Sequence, residues 1–501
     1  MKTNTVKVIQ LIQIVFIVLF ATGQVRAQDT DNEQVKRNLG YELKLNALYS
    51  TAQTPFWIRS NRYGTIPRDS PSILPEMILK SDYRTGTDWD WGFKVDAMGQ
   101  IGATNKFILP EAHVKARWKK IEIFAGRKRQ IMGLVGDTLN TSGSYIQSGN
   151  ALPIPMVQIG ATDFIPFLRG LVAFRGNFAH GWFDENSVVK SHYLHQKSLY
   201  GRLGRETWPV RLYGGFNHQV QWGGTIVTPN RWTAPGQTRY PQKWRDYWWV
   251  ITTKRIPTFG YVNVDDYDAV DRGNRLGNHL GTVDIGAEIL NEKWSILLYR
   301  QSIYEDGSLF QLINLRDGLH GISWKNRSGR QTKNFYLQGI TLEHLYTIHQ
   351  GGESFDLNGG VRGRDEYFAH IQYLGWVYND KTIGTPFISA KGETREDLPQ
   401  PSGILDFTNN NRVSLWHLGA NGTTGKVHFL LMASFSENRG SFGKPFKYKV
   451  YQFSGLVRVG MSVTIGNKGT FDVFGEVAND TGKLFENSTG VMLGIRKSGL
   501  L

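Results

Sequence analysis

The stretch 223–278 holds the densest set of side chains suited to binding. Trp232, Trp244, Tyr247, Trp248 and Trp249 lie there among Arg231, Arg239, Lys243 and Arg245. Aromatic faces pack on the apolar faces of sugar rings and bury area at little conformational cost. Arginine pairs with carboxylates through two parallel hydrogen bonds. Together these groups could grip an acidic glycan, with Arg231, Trp232, Arg239, Trp244, Arg245 and Tyr247 as the candidate contacts. A second use competes with this one. Trp and Tyr gather where a membrane meets water. Trp248 and Trp249 fit that girdle better, and Trp232 and Trp244 fit both.

Other chemistry is thin. There is no His-Glu-x-x-His, no Gly-x-Ser-x-Gly and no phosphate loop. The chain has no cysteine, which excludes disulfides, thiolate metal sites and a cysteine nucleophile. Asp265, Asp266, Asp268 and Asp271 cluster without the spacing of a calcium loop, and Arg272 adjoins them. They read as a solvated acidic loop. His218, in the run FNHQVQWGG (216–224), reads as structural, with Gln219 on the opposite face. No enzyme activity, metal or other cofactor is expected.

The elements that must hold these groups are strands. In Asp88–Gly102 the odd positions Trp89, Trp91, Phe93, Val95, Ala97 and Ile101 are apolar. Asp88, Asp90, Lys94, Asp96 and Gln100 are polar, so one face of a strand is oily and the other wet. The run suits a tilted membrane crossing, which needs roughly 9–11 residues. The pattern returns over Val210–Gly223 and Val172–Trp182. It recurs more weakly in Trp294–Gln301, Phe335–Tyr346, Val427–Phe435 and Phe471–Val477. Short Gly/Asn turns are read at Thr85–Thr87, Asn291–Lys293, Gly351-Gly352, Asn421–Gly425 and Asn467–Gly469. Long links are read near 127–153, 223–278, 305–333, 379–411 and 438–448. Pro55–Pro75 reads as a loop. Alternating short and long links are the habit of outer-membrane barrels.

The first 27 residues read as a secretory signal. Lys2 and Lys7 precede an apolar stretch, and Val25-Arg26-Ala27 offers a cleavage site. Residues 28–501 then read as one all-β domain, a transmembrane antiparallel barrel of about 18 strands in the bacterial outer membrane. A soluble propeller or sandwich also alternates, but its strands are usually shorter. The formal charge is +15, and removing Lys2, Lys7 and Arg26 leaves +12. Such an excess draws anionic partners: an acidic polysaccharide or lipopolysaccharide phosphate beside the surrounding lipid, and no nucleic acid.

Four segments add a resemblance. GRKRQIMGLVGDTLNTSGSYIQSGNALPIPMVQIG (126–160), YLHQKSLYGRLG (193–204), FNHQVQWGG (216–224) and PFWIRSNRYGT (55–65) resemble the Bacteroidetes branch of the Wzi-type capsule assembly family. The resemblance implies an outer-membrane barrel of about 18 strands. It also implies a non-catalytic, lectin-like role that attaches or organises capsular polysaccharide at the cell surface. Residues 28–40 are too few for the helical bundle of enterobacterial members, which leaves the lumen open or plugged. A passive channel is therefore the alternative, with Asp90, Lys94, Asp96, Arg175 and Arg211 lining a wet pore.

These faces are testable. A charge on the lipid side at mid-membrane costs about 2–4 kcal/mol. Val95→Arg is expected to impair assembly, judged by heat-modifiable migration in gels, and Lys94→Gln is not. Equal tolerance of both would refute the assignment.

Overall fold

A computed structural model describes residues 39–501 except 136–138, 257–266, 274, 306–307, 330–333, 355–362, 402 and 404–406. The signal read at 1–27 lies outside the described residues, as do Asp265 and Asp266.

One sheet dominates. Its strands are β1 (Leu39–Ser50), β2 (Ser72–Ser81), β3 (Trp89–Gly102), β4 (Lys106–Trp118), β5 (Ile121–Arg127) and β6 (Met156–Ala161). There follow β7 (Val172–Trp182), β8 (Tyr193–Leu203), β9 (Val210–Trp222), β10 (Asn278–Leu290), β11 (Trp294–Glu305) and β12 (Gly318–Asn326). The last are β13 (Phe335–Tyr346), β14 (Val413–Thr424), β15 (Val427–Gly440), β16 (Pro445–Thr464), β17 (Thr470–Gly482) and β18 (Ser488–Leu500). The short segment Ile165–Phe167 continues β6 along β7 after a break, so the closed barrel has 18 strands. Each strand pairs antiparallel with its sequence neighbours. Closure comes from β1 pairing with β18 from Gly40–Leu500 to Ser50–Gly490. β1 therefore begins and β18 ends at one rim, where the Leu501 amide donates to the Leu39 carbonyl.

The alternation read in β3 is seen in three dimensions. Trp89, Trp91 and Val95 are exposed outward, while Asp90 and Asp96 are buried inward. Lys94 also points inward and pairs with Glu111 (2.5 Å). An apolar outside over a fully paired backbone is what hydrocarbon demands of a strand. Prolines sit where the ladders break. The β2–β3 register skips Leu74 and Pro75. The β3–β4 register shifts between Asp96 and Met98, opposite Leu109 and Pro110. A residue without an N–H is tolerated at such interruptions.

Several sequence readings need correction. The loop read at Pro55–Pro75 ends earlier, because β2 begins at Ser72 and carries Pro75 within it. The long link at 305–333 contains β12. That strand was obscured because its start reverses the pattern, with Leu319 buried inward and His320 on the outward face beside Ile322. Gly351-Gly352 is not a short turn but part of the long connection 347–412. The link at 438–448 shrinks to 441–444. It lies, like the short links 103–105 and 483–487, on the far rim with the long connections. At the terminal rim no link is longer than 162–171, which holds the short segment Ile165–Phe167. Short periplasmic turns are the rule for such barrels, so the terminal rim faces the periplasm and the far rim faces outward.

The protein's main apolar core lies inside the barrel. Described residues of three far-rim connections, 51–71, 128–155 and 347–412, fold into the lumen. Phe56, Trp57, Tyr145, Tyr367, Phe368 and Trp376 are all almost fully buried there against inward wall residues such as Leu48, Ile303 and Leu415. Trp57 begins to anchor the first connection: its indole N–H donates to Ser434 Oγ (3.1 Å) and its ring lies 5.0 Å from Phe56. Trp376 donates to the Ile146 carbonyl (2.6 Å), which ties the second and third connections together.

An ion triad joins the first and third. Arg59 donates to Glu393 (2.7 Å) and Lys381 donates to the same carboxylate (3.0 Å). Burial alone would raise the Glu393 carboxyl, but Lys381 and Arg59 hold it down at about 2. A depressed carboxyl stabilises above its unfolded value of 4.5 and loses that contribution as pH falls toward 2. Glu393→Gln leaves two buried cations without their partner and is expected to cost the plug about 3 kcal/mol. Protection of the amides across 381–395, taken relative to the intrinsic rate at each pH, should fall in the variant at pH 7 and in the parent only below pH 4.5, with the barrel still heat-modifiable. Unchanged exchange in the variant would show that the triad does not hold the plug.

Candidate functional site

The lumen itself is closed by its own polar pairs as well as by the plug. Arg129, from the second inward connection, reaches Asp96 (2.7 Å) and Glu111 (3.6 Å) on the wall. Arg62, from the first, grips both oxygens of Glu476 (3.0 Å each), and Arg458 joins the same carboxylate (3.3 Å). Asp90 pairs with Arg84 and Arg211 with Glu288. Of the residues expected to line a wet pore, Asp90, Lys94, Asp96 and Arg211 thus sit in pairs, and Arg175 stacks on Phe164 (5.3 Å). Deeper in the plug, Tyr145 donates to Glu305 (3.0 Å) and Tyr367 to Asp317 (2.6 Å). Burial, followed by these carboxylates, pushes both phenols well above their ordinary range. A cavity of about 770 Å³ remains on the terminal side of the plug, lined by Lys44, Arg62, Glu76 and Arg496 among others.

The six candidate glycan contacts separate into two groups. Arg231, Trp232 and Arg239 stand exposed on an arm at the far rim. The arm is built by local rules. Thr225-Ile226 pairs with Val189-Lys190, and Arg239 folds back to bridge Thr225. Asn230 Oδ1 accepts the Trp232 amide (2.7 Å), and the Thr233 hydroxyl accepts the Asn230 amide (2.9 Å). These are the self-bonding turns that Asn and Thr favour. Asn230 Nδ2 donates to the Ile371 carbonyl (2.7 Å), and Tyr240 packs on Tyr373 (5.5 Å). The arm is thereby fastened to the third plug connection. Arg231 stacks over the Trp232 ring at 5.0 Å. The result is an aromatic face and two guanidiniums held out toward solvent.

Trp244, Arg245 and Tyr247 go elsewhere. They belong to helix α1 (Trp244–Thr252), which lies on the outward surface of the wall rather than at the mouth. Its N-terminus is capped by Asp246, whose carboxylate accepts the Lys243 amide (2.7 Å) and the Tyr267 hydroxyl (2.7 Å). Tyr247 stacks on outward-facing Trp222 (5.1 Å) and its hydroxyl meets His195 Nδ1 (3.2 Å). His218, expected to be structural, pairs with His279 (3.0 Å) on the same outer wall, while Gln219 is buried inward. Neighbouring His180 contacts both Trp222 and Tyr247.

The acidic loop requires a correction. Asp268 and Asp271 are buried, not solvated. Asp268 caps the short helix Ala269–Gly273 by accepting the Val270 and Asp271 amides (2.9 Å each). Gln372 donates to both carboxylates. Burial and then the Asp268 charge push the Asp271 carboxyl well above its ordinary value. Among the described residues no cluster of three His, Asp or Glu side chains could hold a metal.

No family model matches this sequence, and no curated relative matches it. Solved structures do. The chain is similar to Wzi of Escherichia coli, titled an outer-membrane protein involved in group 1 capsule assembly and a carbohydrate-binding β-barrel. That match has 13% identity and a TM-score of 0.54, and it covers 91% of this chain and 84% of the other. OccK5 (OpdH) of Pseudomonas aeruginosa matches at 8% identity and TM-score 0.47, covering 93% and 98%. OccAB2 of Acinetobacter baumannii matches at 9% and 0.45, covering 93% and 98%. The last two are too distant to carry an argument. At these identities the likeness concerns fold. With the closed wall and its apolar outside, it makes this chain an 18-stranded β-barrel of the bacterial outer membrane.

A filled lumen has an electrical consequence. The purified full chain in a planar bilayer is expected to show no steady porin-sized conductance. Frequent long-lived openings of that size would mean that the inward connections leave the lumen in the native state.

Proposed function

We propose that this protein is a non-catalytic, lectin-like barrel of the Wzi type that holds an acidic surface polysaccharide at the outer face of the cell. The observation that carries the reading is a division of labour. The lumen is occupied by the chain's own connections, while a fastened arm presents Arg231, Trp232 and Arg239 to the outside. The resemblance of segments 55–65, 126–160, 193–204 and 216–224 to the Bacteroidetes branch of the capsule assembly family supports it. So does the fold shared with Wzi, a protein titled carbohydrate-binding.

The mechanism is additive. A ring stacked on Trp232 supplies apolar contact, and Arg231 and Arg239 reach carboxylates on the same chain. Each contact is weak. A long polymer touching many barrels in one membrane gains avidity by effective concentration. A passive channel is the second reading, and the polar pairs and plug argue against it.

Binding of purified capsular polysaccharide to the full chain is expected to weaken between about 0.05 and 0.5 M salt, because exposed charges are screened over that range. Trp232→Ala should weaken it roughly fivefold. Arg231→Ala and Arg239→Ala should each weaken it about two- to fivefold. Trp244→Ala, on the outer wall, should leave it unchanged. Binding indifferent to salt and to all three arm substitutions would overturn the assignment.

A further inference from the structure

Helix α1 has no part in the arm or the plug, yet it is built with care. Its buried side, Asp246 and Val250 with half-buried Tyr247, packs on outward residues near the far ends of β8–β10. Val220, Trp222, Tyr193 and Leu276 complete that small apolar cluster. Lys197, on the outward face of β8, donates to the Ile251 carbonyl. Arg275 donates to the Thr253 carbonyl (2.8 Å) just past the helix end. The helix is pinned flat against the outside of the barrel.

The other side of the helix carries Trp244 and Trp248, one turn apart and 85% and 60% exposed. Below them the wall continues with exposed Trp182, Phe178, Leu199 and Phe216, which belong to the membrane-facing belt. The next connection on the same wall hangs over it too. Outward-facing Arg300 of β11 donates to the Leu315 carbonyl, and Phe310, Leu312 and Leu315 are exposed beside it. Exposed Lys243, Arg245, Lys254 and Arg255 flank the two indoles, and the only acid within the helix, Asp246, is buried. Amphipathic helices of this make-up lie in the boundary of a bilayer and favour anionic headgroups.

We infer that helix α1 is a lipid-binding element of the outer leaflet: Trp244 and Trp248 enter the boundary, and Lys254 and Arg255 hold the phosphate of a lipid headgroup. The occupant is lipid because the exposed indoles are continuous with the apolar wall. The arm that carries Trp232 has no such continuity. This separates two aromatic–basic clusters that are adjacent in sequence.

The absence of cysteine allows single labels in the full chain. A spin label at Trp248→Cys, in vesicles of phosphatidylcholine with phosphatidylglycerol, should be open to oxygen and shielded from a water-soluble nickel chelate. A label at Trp232→Cys should show the reverse. In native mass spectrometry, Lys254→Gln with Arg255→Gln should lower the retention of phosphatidylglycerol roughly fivefold per charge removed. All three variants change exposed positions, and heat-modifiable migration checks that they fold. Nickel access at 248 equal to that at 232 would overturn the inference. So would undiminished phosphatidylglycerol retention, or shielding of the 248 label by soluble acidic glycan instead of lipid.

Discussion

A backbone in hydrocarbon has no water to bond, so every N–H and C=O of a crossing strand must find a partner in the protein. The β1–β18 pairing meets that demand by leaving no free edge among the barrel strands. Once the wall closes, the pleat fixes everything else. Side chains alternate, so an apolar outside forces a polar inside. The inside of an 18-stranded wall is too wide for wall side chains to fill. Here the chain's own far-rim connections fill it. They bring apolar groups to the centre and charged groups to the wall, where Arg129 meets Asp96 and Arg62 meets Glu476, while Arg59 meets Glu393 between two connections. Buried pairs of this kind add little net stability but make one arrangement far better than its rivals. The arm at the rim is fastened to the third of these connections through Asn230 and Tyr240.

The wall was legible in the sequence because its code has period two. Asp88–Gly102 reveals both faces before any coordinates, and Val95 and Lys94 fall as the alternation requires. Legibility failed where that code is broken by packing. β12 hides because Leu319 turns inward to the plug and His320 takes an outward position, the reverse of the alternation. Pro75 looks like a loop residue until the ladder gap beside it is seen. The plug left a signal of another kind. Segment 126–160 is too apolar for a loop in water, with Ile131, Met132, Tyr145, Ile146, Leu152 and Ile154 inside a long connection. Its destination, the lumen, depends on contacts with residues hundreds of positions away.

The candidate site was half legible. Residue types in 223–278 announce binding chemistry, and Arg231, Trp232 and Arg239 do reach the rim. Sequence proximity could not show that Trp244, Arg245 and Tyr247 turn to the other side of the wall. That turn is set by the outer wall of β7–β10, where outward His180 and His195 would be costly against lipid and are met by Tyr247 of the helix, which stacks on Trp222. Asp268 and Asp271 mislead for the same reason: a run of carboxylates looks solvated until the cap and the Gln372 amide that satisfy it are seen.

If connections from the far rim form the core of the barrel, they must be as protected as its strands. Hydrogen exchange of the full chain in outer-membrane vesicles measures this directly. Residues 141–155 should exchange as slowly as the flanking β5 and β7, and far more slowly than the arm at 228–239. Exchange in 141–155 as fast as in the arm would mean an emptied lumen and would contradict the account at its base.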